Sequence, residues 1–330
     1  MQERVAGTVG PAPAGLNLGG AKGVVIAVFV AAVVLFLAST FISPNLVSWS
    51  SLRIIIILSG FLAIAAFGQG IVIMTGGLDV SVGSVITLAG VLMAAFVPEN
   101  NVGFFPAFIG VLVMAGAVGG FSGIGVAFFR IPPFVMTLAT GIMVQSAVFG
   151  YTQGSPSKSS APSWLADITT GEIKRIPVFL LVLIVFVAAA VLLQHYSRFG
   201  RYVQAMGANS NAAKIAGVRA RSMTVLVYIT SGLCAGLVGV LLLGFTGAPT
   251  LTMGEPYTFG TISAVVVGGS SILGGRGYFL GTVAGALLLT VLSNDITALG
   301  LGQGWRTIIE GLVIVGALSS FRMLERRQAA

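Results

Sequence analysis

Several places in this 330-residue chain hold residue types that could do chemistry. Gly120-Phe121-Ser122-Gly123 places a serine between glycines as membrane-embedded serine nucleophiles require, and His195, the one histidine, is the only candidate base. A dyad needs both side chains in hydrogen-bond reach. His195 falls at the end of its own apolar stretch, and Gly116, Gly119, Gly120, Gly123 and Gly125 read as a close helix-packing face. Gly207 to Lys214 has the outline of a phosphate loop, but Ala213 stands where Gly must precede the lysine, Ile215 replaces Ser or Thr, and no strand leads in. The chain is therefore not expected to bind ATP itself. The nine acids are scattered singly, which argues against a metal centre, and no cofactor is expected. Three acids sit in or near apolar stretches: Asp79, close to Ser81 and Ser84, then Asp295 and Glu310. An ionisable group at membrane depth is costly enough to count as functional by default, so Asp79, Ser81 and Asp295 are candidates for a translocation path. The competing reading of Ser81 is a cap for the helix after it.

The elements that must position these residues are membrane spans. Hydrophobic residues make up 56% of the chain, charged residues 8%, and the mean hydropathy is +1.03; soluble domains carry about 25% charged residues. Splitting the sequence at its polar and Gly/Pro clusters leaves ten apolar stretches: 22–41, 52–74, 83–97, 104–129, 134–150, 176–195, 224–245, 259–273, 278–296 and 305–321. The first is expected to be a retained helix, being longer than a signal-peptide core. The fold class predicted is an all-α, polytopic bundle of about ten transmembrane helices. The net charge of +8 does not imply nucleic acid, because the basic residues cluster in short loops without interleaved aromatics. Arg198, Arg201, Lys214, Arg219 and Arg221 in the 196–223 loop, with Arg322, Arg326 and Arg327, put that loop and both termini in the cytoplasm. The expected layout is an N-terminal tail over 1–21, a permease domain over 22–321 and a C-terminal tail over 322–330. The turn at 98–103 and the loop 151–175 then face outside, the latter with Trp164 as an aromatic anchor.

Within the basic loop, residues 207–217 predict a short helix of small side chains, with Asn209 or Ser210 as N-cap and Gly217 beyond its end. The residues alone allow it either to dock in a groove of a soluble partner or to lie on acidic lipid headgroups. Two glycine-rich breaks, Gly76 to Gly83 and Gly268 to Gly277, each interrupt an apolar hairpin; paired interruptions point to a transport site in some carriers.

Four segments together carry a resemblance. Gly77-Leu78-Asp79-Val80-Ser81-Val82-Gly83, Pro133-Phe134-Val135-Met136-Thr137-Leu138, Gly207-Ala208-Asn209 with Ala212-Ala213 and Ala216-Gly217, and Ala264-Val265-Val266-Val267-Gly268-Gly269-Ser270-Ser271 with Gly274-Gly275-Arg276-Gly277 occur in that order. The chain resembles the ribose/xylose-type permeases of bacterial ABC importers over nearly its whole length, with Pro132 before Pro133 as a local variation. The resemblance implies a non-enzymatic subunit moving a monosaccharide across the inner membrane. It implies an ABC ATPase, a periplasmic sugar-binding protein and a second permease, identical or sister, as partners within membrane lipid. It also turns the short helix into the ATPase contact, carried by Gly207, Ala208, Asn209, Ala212, Ala213, Lys214 and Gly217. The alternative is a secondary transporter or channel, for which Asp79, Asp295 and Glu310 are the acids available.

Overall fold

A computed structural model describes residues 21–97, 103–155, 161–272, 274–275 and 277–329. The N-terminal tail, most of the 98–103 turn, and Leu273 and Arg276 of the last glycine motif lie outside the described residues. Among the described residues the chain forms thirteen α-helices and one two-residue β-hairpin. Each of the ten apolar stretches falls on a helix: α1 (Ala21–Ala38), α2 (Trp49–Met74), α3 (Val82–Phe96), α4 (Phe104–Ala127), α5 (Pro133–Thr152), α7 (Val178–His195), α10 (Ala220–Thr246), α11 (Glu255–Val267), α12 (Phe279–Ala298) and α13 (Gln303–Ala329). Seven of them, α1, α2, α4, α5, α7, α10 and α12, are long and apolar enough to cross a membrane. α13 continues through the segment expected to be a tail.

Apolarity on every face makes a helix either a core helix or a lipid-facing one, and burial separates the two. The apolar window of α2 is 78% buried and that of α10 is 67% buried, against 11% for α1 and 17% for α7. α2 and α10 are therefore the central posts, with α4, α3, α11 and α12 packed against them. Small residues set the closest crossing: a Cβ on Gly119 of α4 would stand 2.2 Å from the Tyr228 carbonyl of α10, and one on Gly232 would stand 2.3 Å from the Ala115 carbonyl. No side chain fits there, so Gly116, Gly119, Gly120 and Gly123 of the glycine face read from the sequence form the α4–α10 contact, while Gly125 packs against Met136 of α5.

The 151–175 segment is more structured than the loop expected. It contains α6 (Ser163–Thr170), whose Leu165 and Thr169 are buried, and β1 (Glu172–Ile173), which pairs antiparallel with β2 (Ile176–Pro177). Trp164 is half-buried and packs edge-on against Phe104 at 4.1 Å. Arg53 pairs with Glu172 and ties this cap to α2.

Candidate functional site

α3 and α11 are too short to span. At 1.5 Å per residue their 15 and 13 residues reach about 22 and 20 Å, against a hydrocarbon core of about 30 Å. Both begin at the level of the middle of α10. α2 ends at Met74 in a Schellman turn, with Gly76 in the left-handed region (φ +80°) as N–H donor to Ile73 O (2.8 Å) and Gly77 to Val72 O (3.1 Å). The chain then turns back within the bundle before α3 begins. Irregular backbone at that depth persists only where protein satisfies it, and Asp79 does this. Its Oδ1 accepts from the Ser81 N–H (3.0 Å) and Ser81 hydroxyl (2.6 Å), and its Oδ2 accepts from the Ser231 hydroxyl (2.7 Å) near the middle of α10. The Thr137 hydroxyl takes the Val80 N–H (3.1 Å) and the Tyr228 hydroxyl lies 3.4 Å from Leu78 O. Ser81 is the N-cap residue of α3 but makes no capping bond; its hydroxyl donates to Asp79 instead.

α11 starts at the same depth by a different route, a dip of the chain over 247–254. A Cβ on Gly254 would lie 1.9 Å from the Gly83 carbonyl, and the Gly254 N–H donates to Thr87 Oγ1 (3.1 Å). The two short helices thus begin backbone to backbone. The interruption that pairs with Gly83 is this dip; the Gly268–Gly277 break, which joins α11 to α12, instead meets the start of the first break, where the Gly275 N–H donates to Met74 O (3.0 Å) and a Cβ on Gly274 would lie 3.2 Å from the Gly76 nitrogen. The sequence hid the pairing because the dip, Gly247-Ala248-Pro249-Thr250-Leu251-Thr252-Met253-Gly254, shares no motif with the first break.

Beside these two helix starts lies a cavity of about 660 Å3, within the usual range for small-solute sites. α3 contributes Gly83 and Ser84, α5 contributes Gln145, the dip contributes Thr252, α11 contributes Glu255 and Thr258, and α13 contributes Gln303, Thr307 and Glu310. Gln145 is held by donating to Leu251 O (2.8 Å). Glu310 is paired with Arg306 Nε (2.9 Å), and its carbonyl accepts from the Ser263 hydroxyl (3.3 Å), joining α13 to α11. Among the described residues, the wall carries two carboxylates, six neutral polar side chains and no basic residue. Of the sequence candidates, Asp79 and Ser81 stand behind this wall, each 1% exposed, while their neighbours Val80 and Ser84 are on it. Asp295 is elsewhere, accepting from the Ser39 hydroxyl (3.0 Å) beside α1. Gln145, Thr258, Gln303 and Thr307 escaped the sequence reading; a lone polar residue inside an apolar stretch, as Gln145 is in α5, was the available signal.

At the other end of the bundle, α8 (Arg198–Ala208) leads into α9 (Ser210–Ile215). Asn209 caps α9, its Oδ1 accepting from the Asn211 and Ala212 N–H groups at 3.0 Å each. Gly217 (φ +87°) closes it in a second Schellman turn, with its own N–H to Lys214 O and the Val218 N–H to Ala213 O, both 3.0 Å. Cap and stop fall where the sequence put them. Ala212, Lys214 and Ala216 are exposed, and Ile215 is 89% exposed. Ala213 is an exception to the expected solvent-facing helix: it is 4% exposed and packs into the core.

No serine–histidine dyad exists in this arrangement. The Ser122 hydroxyl donates to Thr140 Oγ1 (3.0 Å) with Ser122 fully buried, and His195 stacks near Tyr278 at the end of α7.

Residues 51–318 match the family model described as branched-chain amino acid transport system / permease component. The chain is 33% identical over 294 residues to the ribose import permease protein RbsC of Escherichia coli (strain K12), covering 88% of this chain and 91% of that protein. It is 30% identical over 266 residues to RbsC of Bacillus subtilis (80% and 81% covered). It is 34% identical over 268 residues to the fructose import permease protein FrcC of Rhizobium meliloti (78% and 73% covered). No solved structure matches it. A polytopic helical bundle, matched over most of its length by one family model and by full-length permease relatives, belongs to the family of permease components of binding-protein-dependent transport systems that this model describes as branched-chain amino acid transport system / permease component.

Proposed function

We propose that this chain is the multi-pass permease subunit of an ATP-driven importer that carries a neutral monosaccharide across a bacterial inner membrane. The observation that carries the reading is the 660 Å3 cavity at mid-bundle, whose wall sets eight polar side chains among apolar ones such as Leu138, Ile142, Phe149 and Phe259. Taking a hydroxyl out of water without a hydrogen-bond partner costs about 2–7 kcal/mol, and six neutral polar side chains supply partners for a polyhydroxylated solute. The family model's description names amino acids, whereas the relatives named above are ribose and fructose permeases. A wall with two carboxylates and no basic residue among the described ones offers an amino acid's carboxylate no side-chain cation, so the sugar reading is favoured.

In this reading the 196–223 loop is cytoplasmic, as are the tails 1–21 and 322–330. The exposed residues Ala208, Asn209, Ala212, Lys214 and Gly217 at and around α9 receive the ABC ATPase, with Ala213 anchoring α9 from below, while Gly207, expected on that face, is packed against Met74 and Gly275 instead. A periplasmic sugar-binding protein delivers solute, and a second permease, identical or sister, completes the path. Asp79 and Ser81 serve the path by fixing the start of α3.

The test is uptake of radiolabelled ribose and fructose into proteoliposomes holding the permease, its co-purifying ATPase and a binding protein. Uptake of either sugar that needs all three and ATP is the expected result. Uptake that proceeds without an ATPase, driven by an ion gradient, refutes the proposal.

A further inference from the structure

Four chain segments close on one methionine at the α8–α9 end of the bundle. Met74, the last residue of α2, offers its carbonyl to the Gly275 N–H of the α11–α12 loop (3.0 Å). A Cβ on Gly207, near the end of α8, would lie 1.9 Å from that same carbonyl and 2.5 Å from the Gly275 nitrogen. The side chain of Met74 is held as tightly. Gln194, in the last turn of α7 and 5% exposed, donates through Nε2 to Met74 Sδ (3.1 Å) and to Gly277 O (3.0 Å), while its Oε1 accepts from the Phe279 N–H at the start of α12 (3.1 Å). The carbonyl of Gln194 in turn fills the space above Gly200 of α8, where a Cβ would stand 1.9 Å away. α8 is thus seated on the bundle near both of its ends, by Gly200 on Gln194 and by Gly207 on Met74.

The residues after Met74 give this clamp a direction. Thr75, Gly76 and Gly77 come next, then Asp79 with its bonds to Ser81 and Ser231, then α3, whose start forms part of the cavity wall. The Schellman turn and the Asp79 bonds make that run a short stiff link and not a slack loop. A displacement of α9 acts on Gly207 two residues before its cap, and Gly207 has no side chain to absorb it. Packed backbone contacts of this kind transmit motion because little free space can take up the shift, and the cavity that Met74 and Gln194 border holds only about 10 Å3.

We propose that the Met74 clamp is the joint through which a push on α9 reaches the start of α3, and that Gln194 is its positioning residue, keeping the ends of α2, α7 and α12 in one rigid unit. The proposal rests on the reading of α9 as the ATPase contact. Without the amide of Gln194, Met74 and Gly277 are free to slip, so that ATP is hydrolysed with less movement at the cavity.

The test is the number of sugar molecules taken up per ATP hydrolysed, in nanodiscs or proteoliposomes of the complete transporter. Gln194→Met keeps length and helix preference but removes the three polar contacts, and Gln194→Glu keeps the oxygen that accepts the Phe279 N–H. Thr140→Val, which removes the buried Ser122–Thr140 bond between α4 and α5 and none of the contacts of Gln194 or Met74, controls for general destabilisation. The expected result is a fall in sugar per ATP of about five-fold or more for Gln194→Met, a smaller fall for Gln194→Glu, ATPase co-purification unchanged in both, and an unchanged ratio for Thr140→Val. An unchanged ratio in assembled Gln194→Met overturns the proposal, as does failure of both Gln194 variants to insert and assemble, since that makes Gln194 a folding residue. Absence of any ATPase from the unmutated complex is a separate outcome: it removes the docking reading of α9, and with it the source of the push.

Discussion

Replacing Asp79 separates two uses of an acid at membrane depth. If Asp79 is a structural pin, what matters is its hydrogen bonds; if it couples transport to an ion, what matters is its charge. The carboxylate accepts three bonds, two on Oδ1 and one on Oδ2. Hydrogen bonds between membrane helices are worth about 0.6 kcal/mol on average and at most about 1.7. Asp79→Ala loses all three, and its destabilisation is about 2–5 kcal/mol on those values. Asp79→Asn keeps the oxygen that serves Ser81. It places an NH2 group against the Ser231 hydroxyl, which accepts as readily as it donates, so the loss is about 1 kcal/mol or less. The assay pairs thermal unfolding of the solubilised complex with sugar uptake at a temperature where all variants are folded. Asp79→Asn is expected to unfold close to the parent and to retain most of its uptake, while Asp79→Ala unfolds early. A well-folded Asp79→Asn variant without uptake would refute the structural reading and point to a charge-coupled carrier.

Other residues make further predictions. Ile215→Glu and Ala212→Glu, on the exposed side of α9, should weaken ATPase co-purification by about ten-fold or more, the cost of about 1.4 kcal/mol or greater, without lowering the unfolding temperature of the permease alone. Ala213→Glu, in contrast, buries an unpaired charge and should lower that temperature, so equal behaviour of Ala212 and Ala213 variants counts against the orientation of α9. Gln69, fully buried in α2, has neither amide atom hydrogen-bonded; Gln69→Met should raise the stability of the permease by about 1–3 kcal/mol, and a measured loss would contradict this reading. Ser122→Ala removes one bond to Thr140, should cost about 1 kcal/mol and should leave uptake intact, whereas abolished uptake would reopen a role for the serine.

The helices were legible because each rests on a local signal. Apolar stretches marked all ten long segments, Asn209 and Gly217 marked the ends of α9, and the glycines of α4 marked its packing face. The site was only half legible. Asp79 stood out as a charge among apolar residues, but whether its carboxylate faced a cavity or a serine on α10, 152 positions away, is a long-range fact. Gln194 shows the limit most clearly. Next to His195 at the end of an apolar run it reads as an interfacial polar residue, and only the fold turns it inward onto Met74 and Gly277. The depth at which α11 starts was equally hidden, since a chain that dips into a bundle and one that turns outside it carry the same Pro and Gly residues.

The cavity wall also bears on where selectivity lies. A path must bind its cargo well enough to admit it and weakly enough to release it. A monosaccharide brings about five hydroxyls, and leaving them all unpaired at about 2–7 kcal/mol each would close the path altogether. Ser84, Gln145, Thr252, Thr258, Gln303 and Thr307 are enough to prevent that, but none is shaped for one sugar: they come from five different segments, and Gln145 already spends one of its two amide N–H donors on Leu251. Such a wall lowers the barrier for any neutral polyol of the right size. Glu255 disfavours anionic sugars, since Glu310 is already paired with Arg306 and no basic residue among the described ones lies on the wall. In the proposed reading, charge is the discrimination this chain makes by itself. Exchanging Glu255 for Gln should relax it, raising uptake of a sugar acid relative to its parent sugar when both are offered at saturating binding protein; an unchanged ratio would assign charge selection entirely to the delivering protein.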